Sequence, residues 1–224
     1  MRIDRIGLSR APVIVIDDFH PDPRGLVSQA ETQGSFTASS KFYPGVRARG
    51  TLEYVQIVRE RLQTWFPAMF GAPHDIVPTE CNFSMVTLPP AETIPFQRIP
   101  HFDGTDMNNI AVLHYLCEPR HGGTAFYRHR STGYEVITEA NARHYAKVID
   151  SEIQTHGVPT PAYVNGSTEL FECIASFDAA FNRALVYRGT SLHSGQIPAD
   201  FVPDPDPRTG RLTLNTFLEL RASR

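Results

Sequence analysis

In the first third of the chain, the pattern of hydrophobic and polar positions predicts one strand followed by two helices. The run PVIVIDDF (12–19) is short, apolar and rich in β-branched residues, which predicts a strand. After it, Asp22 is placed to cap a helix that has Pro23 as its first residue and ends at Gly34. A second helix is predicted at 51–66, where apolar residues recur at spacings of three and four and form a face that would pack on a sheet. Those apolar residues are Leu52, Val55, Val58, Leu62 and Trp65 or Phe66.

From residue 80 onward, the pattern changes to short strand-like runs separated by clusters of Pro, Gly and Asp. The runs are ECNFSMVTL, IAVLHYLCE, GTAFYRH, ALVYRG, LHSGQI and RLTLNTFLEL. One helix interrupts them at 138–156, with Thr138 as its cap and Gly157 at its end. Helices followed by many strands predict an α+β, mainly β fold with a sandwich or barrel core.

The length of 224 residues favours one domain over two, because 41% hydrophobic residues can bury one sizeable core. We therefore predict a single domain over 1–224. Its helix-rich part would extend to about residue 75, and its β core would occupy about 76–224 with the helical insertion at 138–156.

Charge and cysteine content exclude several classes of function. A net charge of −3 provides no basic surface for duplex nucleic acid, so we expect no nucleic-acid partner. The apolar run near the N-terminus is too short for a signal peptide and no later run approaches a membrane span, so we expect a cytoplasmic protein with no membrane partner. Cys81, Cys117 and Cys173 lack the C-x-x-C spacing, which indicates reduced, mostly buried thiols and no structural zinc site.

The stretch RIPHFDGTD (98–106) contains an H-x-D pair, His101 and Asp103. Composition alone predicts about half of one such match by chance, and a second match occurs at 20–22. That second match is structural, because its aspartate is the predicted helix cap. His101 and Asp103 have no such role, since Gly104 follows where the chain must turn tightly between two strands. The pair is thus either half of a metal site or two polar residues in a turn.

His193, in YRGTSLHSGQI, is the candidate for a third ligand. Two histidines and one carboxylate form a facial triad that binds Fe(II) and leaves three coordination positions open. Its neighbours Ser194 and Gly195 are small enough to let a ligand approach, and a late strand of an antiparallel barrel can lie beside an early one. The other histidines of this region are more easily explained as packed or solvated residues: His114, His121, His129, His144 and His156.

The run GRLTLNTFLEL alternates polar and mostly apolar residues with a period of two, which predicts a strand with one polar face. The polar face carries Arg211, Thr213 and Asn215. An arginine fork beside a threonine hydroxyl can bind a carboxylate through charge-assisted hydrogen bonds. The alternative is a surface arginine on the final strand.

Taken together, these segments resemble the non-haem Fe(II)/2-oxoglutarate-dependent dioxygenases, and within them the prolyl-4-hydroxylase-like branch. The likeness spans most of the chain. PVIVIDDF resembles the opening strand of that branch, HFD its H-x-D, and AVLHYLCEPRHGGTAFYRH its strand, acidic turn and Gly-Gly-Thr strand. ALVYRGTSLHSGQIP resembles the segment of the distal histidine, and TGRL the point of the basic cosubstrate anchor.

The resemblance implies a double-stranded β-helix, the cupin-like jelly roll, with N-terminal helices packed on one sheet. It assigns Fe(II) to His101, Asp103 and His193, and 2-oxoglutarate to Arg211, Thr213 and Tyr115. The implied reaction uses O2, with ascorbate as a candidate reductant, converts 2-oxoglutarate to succinate and CO2, and hydroxylates a C–H bond of an amino acid, a peptide or another small molecule. Hydroxylation is favoured over halogenation because Asp103 fills the carboxylate position, where chloride would otherwise bind.

Several features depart from that branch and indicate a distinct subfamily. Arg211 stands where lysine is common, the loop from His193 to Arg211 is long, and the helix at 138–156 is either a lid or a fixed packing helix. Peptidyl proline is therefore not inherited as the substrate. The basic residues at 128–130 either attract an anionic substrate or are solvated surface. Two other classes stay open: a cupin-like metal-binding protein or isomerase without oxygen chemistry, and a metal-free interaction module.

Overall fold

The structure is a computed structural model that describes residues 1–33, 35–38, 43–63, 65–66, 70 and 74–222. Its strands are β1 (Arg2–Ile6), β2 (Ala11–Ile16), β3 (Thr37–Ala38), β4 (Gly45–Arg49), β5 (His74–Val86), β6 (Asn109–Tyr115), β7 (Gly123–His129), β8 (Phe171–Phe177), β9 (Arg183–Arg188), β10 (His193–Gln196) and β11 (Leu212–Ala222). Its helices include α1 (Pro23–Gln33), α2 (Leu52–Gln63) and α3 (Glu139–His156). The predicted mainly β character is confirmed.

The strands form two antiparallel sheets. The large sheet has eight strands in the order β1-β2-β9-β6-β11-β5-β4-β3, and the small sheet has three in the order β10-β7-β8. A single bridge between His101 and His193 adds the H-x-D segment to the edge of the small sheet, next to β10. From β5 to β11 the chain therefore passes repeatedly from one sheet to the other, and this winding brings the H-x-D segment beside a strand that is distant in sequence.

The large sheet has one core on each face. On one face, helices α1 and α2 pack on apolar residues such as Phe83 and Leu214, as predicted. On the other face, residues of both sheets meet, including Tyr115 of the large sheet and Phe126 of the small one. The pocket that contains the candidate site opens beside this second core.

The buried side of helix α2 differs from the prediction. Tyr54, Val58 and Leu62 are buried at spacings of four, whereas Leu52 is 83% exposed. Leu52 precedes Tyr54 by two positions, about 200° around the helix axis, so its side chain points away from the stripe at i, i+4 and i+8 that faces the sheet. The apolar pattern identified the helix but included one residue too many.

Both predicted helix caps are present. The carboxylate of Asp22 accepts a hydrogen bond from the Gly25 N–H at 2.9 Å at the start of α1, which accounts for the second H-x-D match. The predicted end of that helix, Gly34, lies outside the described residues. Helix α3 begins after Thr138 and ends at Gly157, whose φ of +86° is readily adopted by glycine.

Four strands were not predicted: β1, β3, β4 and β8. Three of them lie before residue 75, so this part of the chain contains a substantial share of the large sheet as well as two helices. The three cysteines are free thiols, of which Cys117 is buried and the other two are partly buried. Within the described residues, every helix falls short of the length and hydropathy needed to cross a membrane.

Candidate metal centre

Backbone hydrogen bonds hold the three predicted ligands together. The N–H of His101 donates to the carbonyl of His193, and the N–H of His193 donates to the carbonyl of His101, both at 2.8 Å. The N–H of Asp103 donates to the carbonyl of Gly189 at 2.7 Å. A Cβ at Gly189 would lie only 3.2 Å from the Cβ of Asp103, so glycine permits this close approach.

The donor atoms of these side chains converge. The ligand atoms of His101, Asp103 and His193 all lie within 4.8 Å of one another. The Asp103 carboxylate is 3.6 Å from Nε2 of His193 and 3.9 Å from Nε2 of His101. In the described part of the chain, no other group of three or more His, Cys, Asp or Glu side chains is close enough to share a metal ion. The structure thus brings the predicted triad together.

Burial keeps the two imidazoles neutral and the carboxyl easy to protonate. The pKa of His193 falls to about 4 because the ring is desolvated. Its Nδ1 lies 2.9 Å from the carbonyl of Ser191, which must accept the Nδ1 proton, so Nε2 keeps its lone pair for a metal. The pKa of His101 is lowered as well, by the surrounding protein and by His193, although the outer edge of its ring opens to the pocket. Burial raises the pKa of Asp103 to about 6, against the opposing effects of His101 and Arg47.

The triad lines a cavity of about 610 Å³ that also contains Arg211 and Thr213. This volume is typical of small-molecule sites. Arg211 is 5% exposed, and its Nε and Nη2 donate to the carbonyls of His121 at 3.1 Å and Gly123 at 3.0 Å. These two bonds fix the guanidinium plane, and its other three N–H groups make no hydrogen bond to the described residues. A buried cation with open donors faces the same space as the triad.

The other two predicted cosubstrate residues occupy different positions. Thr213 lies on the cavity wall, and its hydroxyl donates to the carbonyl of Ser84 at 3.3 Å. Tyr115 lies behind the wall, where its hydroxyl shares a hydrogen bond of 2.6 Å with the hydroxyl of Thr124. Thr124 itself reaches the cavity. Tyr115 is therefore positioned to orient Thr124.

The sequence pattern did not indicate several residues of the cavity, among them Tyr43, Arg47 and Tyr163. Burial raises the pKa of Tyr43, and the nearby charge of Arg211 opposes part of this rise. The Tyr163 hydroxyl donates to the carbonyl of Leu88 at 2.6 Å. A signal for Arg47 exists in GVRAR, where arginine alternates with small apolar residues as on a two-faced strand. Tyr163 lies in an irregular segment that has no period to detect.

The basic residues at 128–130 lie outside the cavity wall. Arg128 forms ion pairs with Glu135 at 2.6 Å and Glu172 at 2.9 Å, and Arg130 donates to the carbonyl of Thr168 at 3.2 Å. Their charges are thus engaged within the protein, which favours the structural interpretation of this run.

Solved structures of other proteins have a similar fold. HygX from Streptomyces hygroscopicus, with nickel, 2-oxoglutarate and hygromycin B bound, gives a TM-score of 0.51 at 10% identity, covering 92% of this chain and 82% of that one. The iron-bound form of HygX gives a TM-score of 0.51 at 10% identity, covering 92% and 81%. At such low identity, the similarity shows a shared fold.

Residues 1–218 match a family described as "Family of unknown function (DUF6445)", and the chain belongs to this family. No curated protein matches the chain. The prolyl-4-hydroxylase-like branch stays a prediction.

Proposed function

We propose that this protein is an Fe(II)- and 2-oxoglutarate-dependent oxygenase on a double-stranded β-helix. The observation that carries the proposal is that the His101, Asp103 and His193 donors open into the same cavity as the buried guanidinium of Arg211. HygX, which shares the fold, has been crystallised with iron and with nickel and 2-oxoglutarate.

The donor set suits Fe(II). Two neutral imidazoles and one carboxylate are the ligands of the facial triad, and they leave three positions for a bidentate keto acid and O2. Bound iron supplies the oxidative chemistry, in which 2-oxoglutarate, O2 and a substrate C–H become succinate, CO2 and C–OH. Since Asp103 provides the third protein ligand, hydroxylation is the expected outcome.

The protein's own residues prepare the cosubstrate site. Arg211 needs a carboxylate, because a buried guanidinium without a counter-ion is costly. Its plane is set by two carbonyls before any ligand arrives, so little side-chain entropy is lost when it binds the distal carboxylate. Thr213 offers a hydroxyl beside it, and Tyr43 lies near the same charge. A cupin-like isomerase has no use for this arginine.

Succinate formation tests the proposal. The purified protein would be incubated with Fe(II), ascorbate, O2 and 2-oxoglutarate, with and without mixtures of amino acids and short peptides. We expect iron-dependent succinate release that His193→Ala abolishes. A protein that binds iron tightly but neither binds nor consumes 2-oxoglutarate would instead support the cupin-like alternative.

A further inference from the structure

The proposed reaction leaves two polar side chains of the cavity without a role. Nε of Arg47, Oδ1 of Asn215 and the hydroxyl of Tyr43 are buried without a hydrogen-bond partner among the described residues. Tyr43 already has a place beside Arg211, which leaves Arg47 and Asn215. Both side chains line the cavity that holds the triad. A buried polar atom without a partner destabilises the fold, so unpaired groups in a ligand cavity indicate groups that the ligand pairs.

The position of Arg47 follows from strand register. Arg47 of β4 pairs with Ser84 of β5, which pairs with Thr213 of β11. Residues aligned across a sheet share a face, so Arg47 projects from the same face as Thr213, two strands and about 10 Å away. The charge of Arg47 acts on His101 and Asp103, so its guanidinium lies toward the triad, where it can bind a second anionic group.

Local contacts hold the Arg47 guanidinium without neutralising it fully. The guanidinium carbon lies 4.3 Å from the centre of the Tyr43 ring, which supports it from one side. Nη1 is 3.5 Å from the carboxylate of Glu80, whose side chain is 49% exposed. An ion pair that is this long and exposed contributes little. Nη2 makes no hydrogen bond to the described residues, so this end of the guanidinium remains available to a ligand.

Another part of the cavity wall is mainly apolar, although Asp150 of helix α3 also lines the cavity. Helix α3 contributes Tyr145 and Ile149, and Ile99 and Phe102 flank His101 in the sequence. The rings of Phe102 and Tyr145 meet edge to face, with centroids 6.1 Å apart. Since Phe102 lies between the two ligands of the H-x-D pair, this wall borders the metal centre directly.

We propose that the primary substrate is a small carboxylate with an apolar body, and that Arg47 binds its carboxylate while the body packs against α3 and Phe102. Asn215 accepts an N–H or O–H of the same molecule. This assignment rests on the proposed function, because it places the oxidised C–H bond between Arg47 and the apolar wall, next to the triad.

Matched pairs of carboxylates and amides test the assignment. The probes are phenylacetate and 3-phenylpropionate, with phenylacetamide and 3-phenylpropionamide as neutral analogues of the same shape. The protein carries Zn(II), which accepts the same donors without redox chemistry. Saturating 2-oxoglutarate occupies Arg211, so the probes cannot bind there. Dissociation constants are measured by proton NMR titration.

In the wild-type protein we expect each carboxylate to bind at least about tenfold more tightly than its amide, because only the carboxylate forms charge-assisted hydrogen bonds with Arg47. Arg47→Gln should make the two affinities equal, and Arg47→Lys should keep part of the difference. Glu80→Gln is the matched control, because it removes the partner of Arg47 outside the cavity and should preserve the preference.

The results separate this inference from the proposed function. Failure of the wild-type protein to bind 2-oxoglutarate would refute the proposed function. If 2-oxoglutarate binds normally, three results would refute the Arg47 assignment alone. They are probes that do not bind, probes that show no carboxylate preference, and a preference that survives in Arg47→Gln. If Arg47→Gln also loses 2-oxoglutarate binding, the carboxylate preference is measured in Arg47→Lys instead. A preference as large as that of the wild-type protein would refute binding of the carboxylate by the arginine fork.

Discussion

His101 and His193 donate backbone hydrogen bonds to each other's carbonyls at 2.8 Å, and their imidazole centroids lie 4.4 Å apart. This two-residue bridge joins the H-x-D segment to β10 across 92 positions of sequence. Because the backbone holds the pair, the ligands are in place before metal arrives, and iron affinity should depend on the side chains rather than on folding around the ion.

Alanine substitutions test the triad. His101→Ala and His193→Ala should each remove most of the one Fe(II) expected per chain, since each deletes one of three protein ligands. His20→Ala should leave the iron content of the folded protein unchanged, because His20 belongs to the H-x-D match whose aspartate caps α1. Metal analysis after gel filtration measures this. Equal iron loss in all three variants would point to unfolding or to another site.

Arg211 should control the affinity for 2-oxoglutarate. Arg211→Ala is expected to raise its dissociation constant by one to several orders of magnitude, since a charge-assisted pair contributes roughly 1.5–3 kcal/mol or more. Arg208→Ala should change it little, because the Arg208 side chain is 64% exposed and pairs with Asp206 and Glu31. Calorimetric titration of iron-loaded protein under argon compares the two. An Arg211→Ala protein with wild-type affinity would refute this anchor.

The raised pKa of Asp103 predicts that its ionised carboxylate destabilises the folded protein when no metal is bound. Its folded pKa of about 6 exceeds the ordinary value of 3.8, so ionised Asp103 destabilises the fold above pH 6 and this cost disappears as the pH falls below 3.8. Because Asp103 is partly exposed to solvent, Asp103→Asn should raise the free energy of unfolding by only about 1 kcal/mol at pH 7.5 and by almost nothing at pH 3.5. Urea unfolding of metal-free protein at both pH values measures the difference. A gain for Asp103→Asn that is equal at both pH values would contradict this interpretation.

Helix α3 should behave as a fixed wall of the cavity. Tyr145 and Ile149 are buried against the small sheet. The carboxylate of Glu152 is hydrogen-bonded to Nε2 of His129 at 2.7 Å. We expect hydrogen exchange across 139–156 to be slow and the same with and without Zn(II) and 2-oxoglutarate. Glu152→Ala should speed exchange in the last turns. Weak protection that rises strongly on ligand addition would identify a lid instead.

The sequence predicted the triad by combining local signals, of which the H-x-D match is weak by itself. H-x-D stands in a turn, His193 follows a clear strand, and Arg211 begins a strand with a strict period of two. Each signal is local, whereas their meeting depends on the winding of the two sheets. That winding came from the family resemblance, since residue spacing by itself leaves the pairing of distant strands open.

Tyr43, Arg47 and β8 could not be predicted with the same ease. Tyr43 and Arg47 enter the cavity because β4 joins the large sheet beside β5, a long-range pairing that no local pattern specifies. In β8, most of the side chains are only partly buried, so its sequence FECIASF lacks a regular alternation of apolar and polar residues. Packing decides these elements, and their local sequences are compatible with several structures.

Anaerobic titration of the Fe(II)-loaded protein with 2-oxoglutarate tests the central claim most directly, because it requires the triad and Arg211 at once and needs no knowledge of the substrate. We predict the visible absorption band of an Fe(II) keto-acid chelate, saturating at one 2-oxoglutarate per iron, lost in His193→Ala and shifted to higher concentrations in Arg211→Ala. Iron binding without any such band, and without measurable 2-oxoglutarate affinity, would contradict the assignment of this cavity to an oxygenase.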